Sequence, residues 1–416
     1  MKIRRSLAIA TPLVALAAGI PGVVYLAPGQ TQNAAGTSAT AAAPALGDFD
    51  LRQGSNRSTP LKALGKKLDK SGVTALMNAT GQRKLGSGSC AKAAGVPAKS
   101  VAYCWNAGDS KTSKWIPQGV STVSDADSDE TWGKSGKPIL VAWYADHAIR
   151  LTFVNPAKHS YRHVLLVYPT MKGGKATYTD IDVHAGGIAW FGNKLYVADT
   201  QAGLRQFDMT QIYDLGKSKA GTTKKKGWVG LHGKTYYGHA YRYVMPQTGS
   251  WQNAKGKAPA SKCKGSGPLR TSWASVDRTA RQRPELILGE YCTTASPKGR
   301  VVTYPLKVGT GIVGTGGVAH ANWAATLPDK KIQGGVRSHD WWWFSHNVDT
   351  TSGAKRGQLL TTVRKGGGWG KVTRQTVSYG PEDLSCYRGQ RRIWTVAEHA
   401  GKRALWGTLE DPCNTN

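Results

Sequence analysis

Apolar positions along this chain fall in short runs rich in Val, Ile, Trp and Tyr, separated by turns of Gly, Pro, Asn and Lys. Helical recurrence of apolar residues is poor, and the pattern predicts many short strands, hence a sandwich, barrel or propeller. The stretch "HAGGIAWFGNKLYVADT" (184–200) gives the unit in full. A Gly-Gly turn precedes an apolar strand, a tight turn leads to a second strand ending on an acid, and "GLRQFDM" supplies a third. The same order starts at Trp115 ("WIPQGVSTV … KPILVAWYADH … IRLTFVN") and at Leu269 ("LRTSWASVD … PELILGEYC … GRVVTYPL"). It returns at Lys331 ("KIQGGVRSHDWWWFSHN … GQLLTTVR") and at Gly380 ("GPEDLSCYRGQRRIWTVAEH … KRALWGTL").

Repetition decides among the all-β architectures. A sandwich has no reason to repeat one strand order five times, whereas radial blades do. The units predict a five-bladed β-propeller over 108–416, with six blades as the alternative. Fourth strands are expected at "RHVLLVYPT", "HAYRYVMPQ", "ANWAATLP" and "KVTRQTVSY". The last unit lacks one. "SVAYCWN" (100–106), within an extension spanning 47–107, is expected to fill that edge, because an open inner edge leaves backbone groups unpaired.

In such a ring, starts of first strands and ends of second strands meet near the axis. That places Gln118, His184, Ser272, Gln333, Glu382 and Asp383 at strand starts, and Trp143, Asp199, Glu290, His346 and Glu398 at strand ends. All eleven are candidate ligand-binding residues around a shared concave site. The competing reading is structural: an acid that ends a strand fastens the turn that follows. Adjacent Glu382 and Asp383 are expected to point to opposite sides.

"NKLYVADTQAGLRQFD" resembles the NHL and gluconolactonase-type propeller repeat. A longer pattern, from "YCWNAGDSKTSKWIPQGVSTV" through "YRHVLLVYP", is similar to secreted actinomycete β-propellers without assigned chemistry. The first resemblance implies the fold. The gluconolactonase type also implies a divalent metal held by Glu, Asn and Asp, but this chain carries "HAGGI" with His184 where that family has NG(I/L). Five-bladed glycosidases place acids at successive inner-strand starts, where the first two units here offer Gln118 and His184.

The chain opens "MKIRRSLAIATPLVALAAGIPGVVYLA", which reads as a signal peptide over 1–27, or alternatively as an uncleaved anchor. Residues 28–46, an uncharged Ala/Thr/Ser-rich stretch, read as a flexible linker. Six cysteines in a secreted chain predict an oxidised framework, with sequence proximity favouring Cys90–Cys104, Cys263–Cys292 and Cys386–Cys413. No CxxC, GxSxG, HExxH or Walker pattern occurs.

The formal net charge is +31, and about +28 without the three cations of the leader. That excess points to an extracellular anionic partner, or else to solubility through charge. Lys217, Lys219, Lys224, Lys225 and Lys226 in "KSKAGTTKKKGW" form a candidate polyanion patch, able to hold nucleic acid only non-specifically. "SDADSDETW" (124–132) lacks the Gly and Glu of a calcium loop, so no cofactor is expected, with a divalent cation as the alternative. The function read from these features is a secreted, basic recognition module for an extracellular anionic or carbohydrate polymer. A glycosidic or lactone/ester hydrolase using axial carboxylates is the runner-up, and a protein-interaction scaffold the third.

Overall fold

The computed structural model describes residues 43–280, 283–348 and 354–414. The expected signal peptide and most of the linker lie outside the described residues. The fold is all-β, a propeller-like ring in which four blades are complete four-stranded antiparallel sheets. The first sheet runs Ile116–Thr122, Ile139–Ala145, Ala148–Asn155 and Ser160–Lys172. The second runs Ile188–Phe191, Lys194–Asp199, Gly203–Asp208 and Gly249–Asn253. The third comprises Trp273–Asp277, Glu285–Gly289, Arg300–Lys307 and Trp323–Thr326. The fourth comprises Ile332–Ser338, Trp341–His346, Arg356–Lys365 and Thr373–Tyr379.

A last sheet is composite. Ser385–Tyr387, Arg392–Ala397 and Ala404–Leu409 come from the C-terminal segment, and Val101–Cys104 pairs antiparallel with the last of them, Tyr103 opposite Leu405. First strands of successive sheets pack side by side, and Ser385–Tyr387 packs back against Ile116–Thr122. Backbone meets backbone at these contacts. A Cβ on Gly187 would lie 2.2 Å from the amide nitrogen of Ala274, and one on Gly334 would lie 2.6 Å from the Cα of Asp383. The Gly-Gly turn of the repeat is therefore a packing requirement at the axis.

One expected strand belongs elsewhere. The segment within "HAYRYVMPQ", Tyr243–Pro246, pairs parallel with Ser160–Lys172 and covers the outer edge of the first sheet. Gly249–Asn253 takes the fourth position of the second sheet, and Leu51–Gln53 of the extension pairs beyond it. The parallel pairing buries Val244 and Met245, which would otherwise be left without an apolar partner surface.

Tryptophan fills the space within and between sheets: Trp143, Trp190, Trp273, Trp342, Trp343, Trp394 and Trp406 are fully buried. Within "DWWWFSHN", Trp342 and Trp343 lie on opposite faces yet are both buried, because each face of the fourth sheet is covered. Trp341, at the turn, remains exposed. The three disulfides are Cys90–Cys104, Cys263–Cys292 and Cys386–Cys413. Among the described residues no helix is long and apolar enough to cross a membrane.

Candidate functional site

Six of the eleven candidate residues line one cavity of about 520 Å³ at the axial end of the ring: Gln118, His184, Asp199, Ser272, Gln333 and Glu398. They come from all five sheets or from the segments that lead into and out of their strands. Gln118 sits where the register between the first two strands of its sheet shifts, between Pro117 and Val120. Such a bulge re-aims a side chain that regular pleating would place otherwise.

Beneath the cavity lies a carboxyl pair. Glu382 is buried and hydrogen-bonded to Glu398, which reaches the cavity wall. Each carboxyl is held by an amide: Gln118 Nε2 donates to Glu398 Oε2 at 2.9 Å, and Gln333 Nε2 donates to Glu382 Oε1 at 3.0 Å. Burial, then the charge of Glu398, pushes Glu382 well above the usual carboxylate range. Burial also raises Glu398, opposed by His399 and the bond from Gln118. Two carboxyls in contact cannot both ionise, so the pair holds a proton between them.

His184 opens to the cavity but is enclosed by its walls, and that desolvation lowers its pKa to about 4. Its ring lies 4.3 Å from that of Tyr144, whose hydroxyl burial and the nearby Glu398 push up to about 12. The cavity thus presents a neutral imidazole and a neutral phenol. Its remaining charges are mostly paired. Asp199 meets Arg205 at 2.9 Å, and Asp182 meets His147 at 2.8 Å. Arg270 donates to the carbonyls of Pro259, Ala260 and Tyr291.

The acid that ends the opening hairpin does both things considered for it. Asp199 accepts the amide of Ala202, fastening its turn, and also lines the cavity.

Four candidates fall elsewhere. Trp143 is one residue out of phase: alternation along the strand sends Tyr144 to the cavity and Trp143 into the core, where it packs on Trp105. Glu290 is buried against Arg300, with Nη2 to Oε1 at 2.7 Å, and accepts the amides of Arg270 and Arg300. His346 faces Gln358 at the end of its strand. Asp383 lies below the cavity and accepts the amides of Val120 and Ile188, tying the first two sheets to the last. Of the adjacent acids Glu382 and Asp383, one meets the cavity's carboxyl and the other the inner strands.

Sequence reasoning missed Tyr144, Asp182, Thr200, Gln201, Arg270 and Tyr291 in the cavity wall. Alternation alone identifies Tyr144; the others stand on turns and insertions with no periodic signal.

The five lysines of the candidate patch are exposed in the insertion before the hairpin Val229–His232 and Thr235–Gly238. Lys225 lies over the ring of Trp228 at 5.5 Å. The acids of "SDADSDETW" turn to separate structural partners. Asp125 binds Ser121 and Ser385, Glu130 binds Ser124 and the amide of Gly389, and Asp129 binds Thr131.

No known protein family and no curated protein matches the chain. Solved structures similar to it include Kuenenia stuttgartiensis hydrazine synthase, at 12% identity over 69% of this chain and 78% of that one, TM-score 0.28. A second comes from a study of two prolyl endopeptidases, at 13% identity over 87% of this chain and 43% of that one, TM-score 0.28. Overlaps this loose carry no argument about chemistry.

Proposed function

We propose that the protein is a secreted recognition module whose axial cavity takes a polyhydroxylated ligand, one or more sugar units of an extracellular polymer. The composite sheet is read as the fifth blade of a five-bladed propeller, closed by Val101–Cys104. The observation that carries the proposal is the convergence of amide, hydroxyl, carboxyl and neutral imidazole groups from every sheet on one cavity of about 520 Å³. Such groups donate and accept in directed pairs, which suits sugar hydroxyls. The one arginine of the cavity, Arg270, is already bonded to three carbonyls, so the wall offers an anionic group little. Tyr144 and Tyr291 offer ring surface beside the polar groups. No cofactor is required.

A second reading is favoured by the Glu382–Glu398 pair. A carboxyl that carries a proton above the ordinary carboxylate range is suited to general-acid work, so the same cavity is also read as that of a glycoside hydrolase. Calorimetric titration with neutral oligosaccharides tests the binding reading, using Gln118→Ala and Gln333→Ala variants of unchanged melting temperature. Loss of binding supports the cavity; undiminished binding in both overturns it. Product release from the same sugars, abolished by Glu398→Gln, distinguishes the hydrolase.

A further inference from the structure

The axial cavity does not stand alone. A neighbouring cavity of about 370 Å³ shares Asp182 and Asp199 with it and is bordered by Arg57, Arg205 and Gln247. A third, of about 410 Å³, shares Asp180 with the second. Residues 180–184 line the three in turn, so the cavities are neighbours along one segment, with the axial one at one end of the series. One sugar unit has no use for such a series; a chain does.

Charge changes along it. Besides Arg270, the axial wall holds Asp182, Asp199 and Glu398. The outermost cavity gathers Arg83, Lys114, Lys226 and His239 from four separate segments. Its acids are Asp146 and Asp180, and Asp180 is bonded to His239 at 2.9 Å. Lys114 and Lys226 are exposed and belong to no ion pair among the described residues. Arg83 is anchored from behind: it shares buried Asp109 with Arg150, Tyr161 and His163. Trp115 and Tyr241 stand edge to face as the apolar wall, with Arg150 over Trp115 at 4.7 Å.

The wider charge distribution points the same way. Nine acids are buried among the described residues (Asp109, Asp125, Glu130, Asp199, Asp214, Asp277, Glu290, Glu382 and Asp383), against five arginines (Arg150, Arg300, Arg337, Arg388 and Arg403). The exposed surface is therefore more basic than the sequence total, and the outer cavity gathers three of its exposed cations, Arg83, Lys114 and Lys226.

We infer that the outer cavity, built by Arg83, Lys114, Lys226 and His239, is a subsite for an anionic substituent of a glycan chain whose neutral unit occupies the axial cavity. This rests on the carbohydrate reading of the axial site and names its ligand class as an acidic polymer of sugar or polyol units. The anion is a carboxylate or a phosphate, chemistry these cations hold alike.

The test uses the full chain, a galacturonic acid octamer, a phosphodiester-linked glycerol octamer, a neutral galactose octamer and a DNA octamer, at low salt. At least one acidic glycan or polyol octamer should bind about 10-fold tighter than the neutral one, the scale of a few surface charge pairs. Lys114→Glu with Lys226→Glu should erase that gain and leave neutral binding unchanged. Which octamer responds identifies carboxylate or phosphate. Equal affinity for acidic and neutral octamers, no binding of either acidic octamer, or an unchanged gain in the double variant overturns the subsite. DNA binding as tight as the best acidic octamer, with the same loss in the variant, overturns the glycan assignment. Neutral binding that survives these failures leaves the axial reading standing; its loss in Gln118→Ala marks that reading separately.

Discussion

Gln118 and Glu398 are 280 residues apart in the chain and joined side chain to side chain at 2.9 Å across the mouth of the ring. With Gln333 and Glu382 they form a chain of four groups, amide–carboxyl–carboxyl–amide, drawn from the first, fourth and last sheets. The arrangement stays satisfied only while one proton remains between the carboxyls.

That proton makes stability depend on pH. Glu382 has a folded pKa raised above its unfolded value near 4.5, so the folded protein binds more protons above that pH. Its favourable contribution is complete below about pH 4.5 and is lost as pH rises through the folded value. Glu382→Gln keeps both hydrogen bonds, accepting from Gln333 and donating to Glu398, without a titrating proton. Thermal melts should show the variant gaining stability over the parent at pH 8 and not at pH 4. An equal offset at both would remove the shared proton.

Glu290 should behave differently from its neighbours in the repeat. Glu290→Ala leaves Arg300 buried without its carboxylate, a loss of about 3–5 kcal/mol. Denaturant unfolding measures the loss. On the carbohydrate reading, ligand binding by the folded fraction should fall less than in Gln118→Ala, because Glu290 meets the cavity wall only through the amide of Arg270.

Trp143 gives a second contrast. Its truncation to Ala opens a void against Trp105 and should cost about 3–5 kcal/mol. Tyr144→Phe, one residue on, should leave unfolding nearly unchanged and weaken ligand binding. Reversal of the two effects would place the strand one residue out of register.

The composite sheet predicts a long-range effect of the first disulfide. Cys104 ends the strand that pairs with Ala404–Leu409, and Cys90 holds it. Replacing both by Ser should cost about 2–5 kcal/mol. Hydrogen exchange should show faster exchange at Leu405 and Gly407, far from either cysteine in sequence; loss of protection confined to residues 86–104 would refute the coupling.

Strand order was legible because a half-buried or sandwiched strand must be apolar with turn residues at its ends, and those constraints are local. His184, Asp199 and Glu398 were legible for the same reason: they mark strand ends in a repeat. Trp143 was misplaced because neighbours on a strand face opposite sides, and one position of phase separates the core from the cavity. Glu290 was misread because its partner, Arg300, opens the next strand, a cross-strand match with no spacing rule. The parallel pairing of Tyr243–Pro246 with the first sheet was also invisible, since an apolar segment does not announce which edge it will cover. Arg270 and Tyr291 meet only through an insertion whose path depends on the Cys263–Cys292 disulfide.

The pairing of Tyr103 with Leu405 sets the order of events during synthesis. The earlier strand has to wait, edge exposed, until some three hundred further residues have emerged, because its mate follows at that distance in the chain. During that interval the circle is a horseshoe, vulnerable to strand addition by any passing chain. Once shut, the seam lies inside a sheet, with a further strand on either side of the pair. The order of closure follows from where a four-residue strand is stitched.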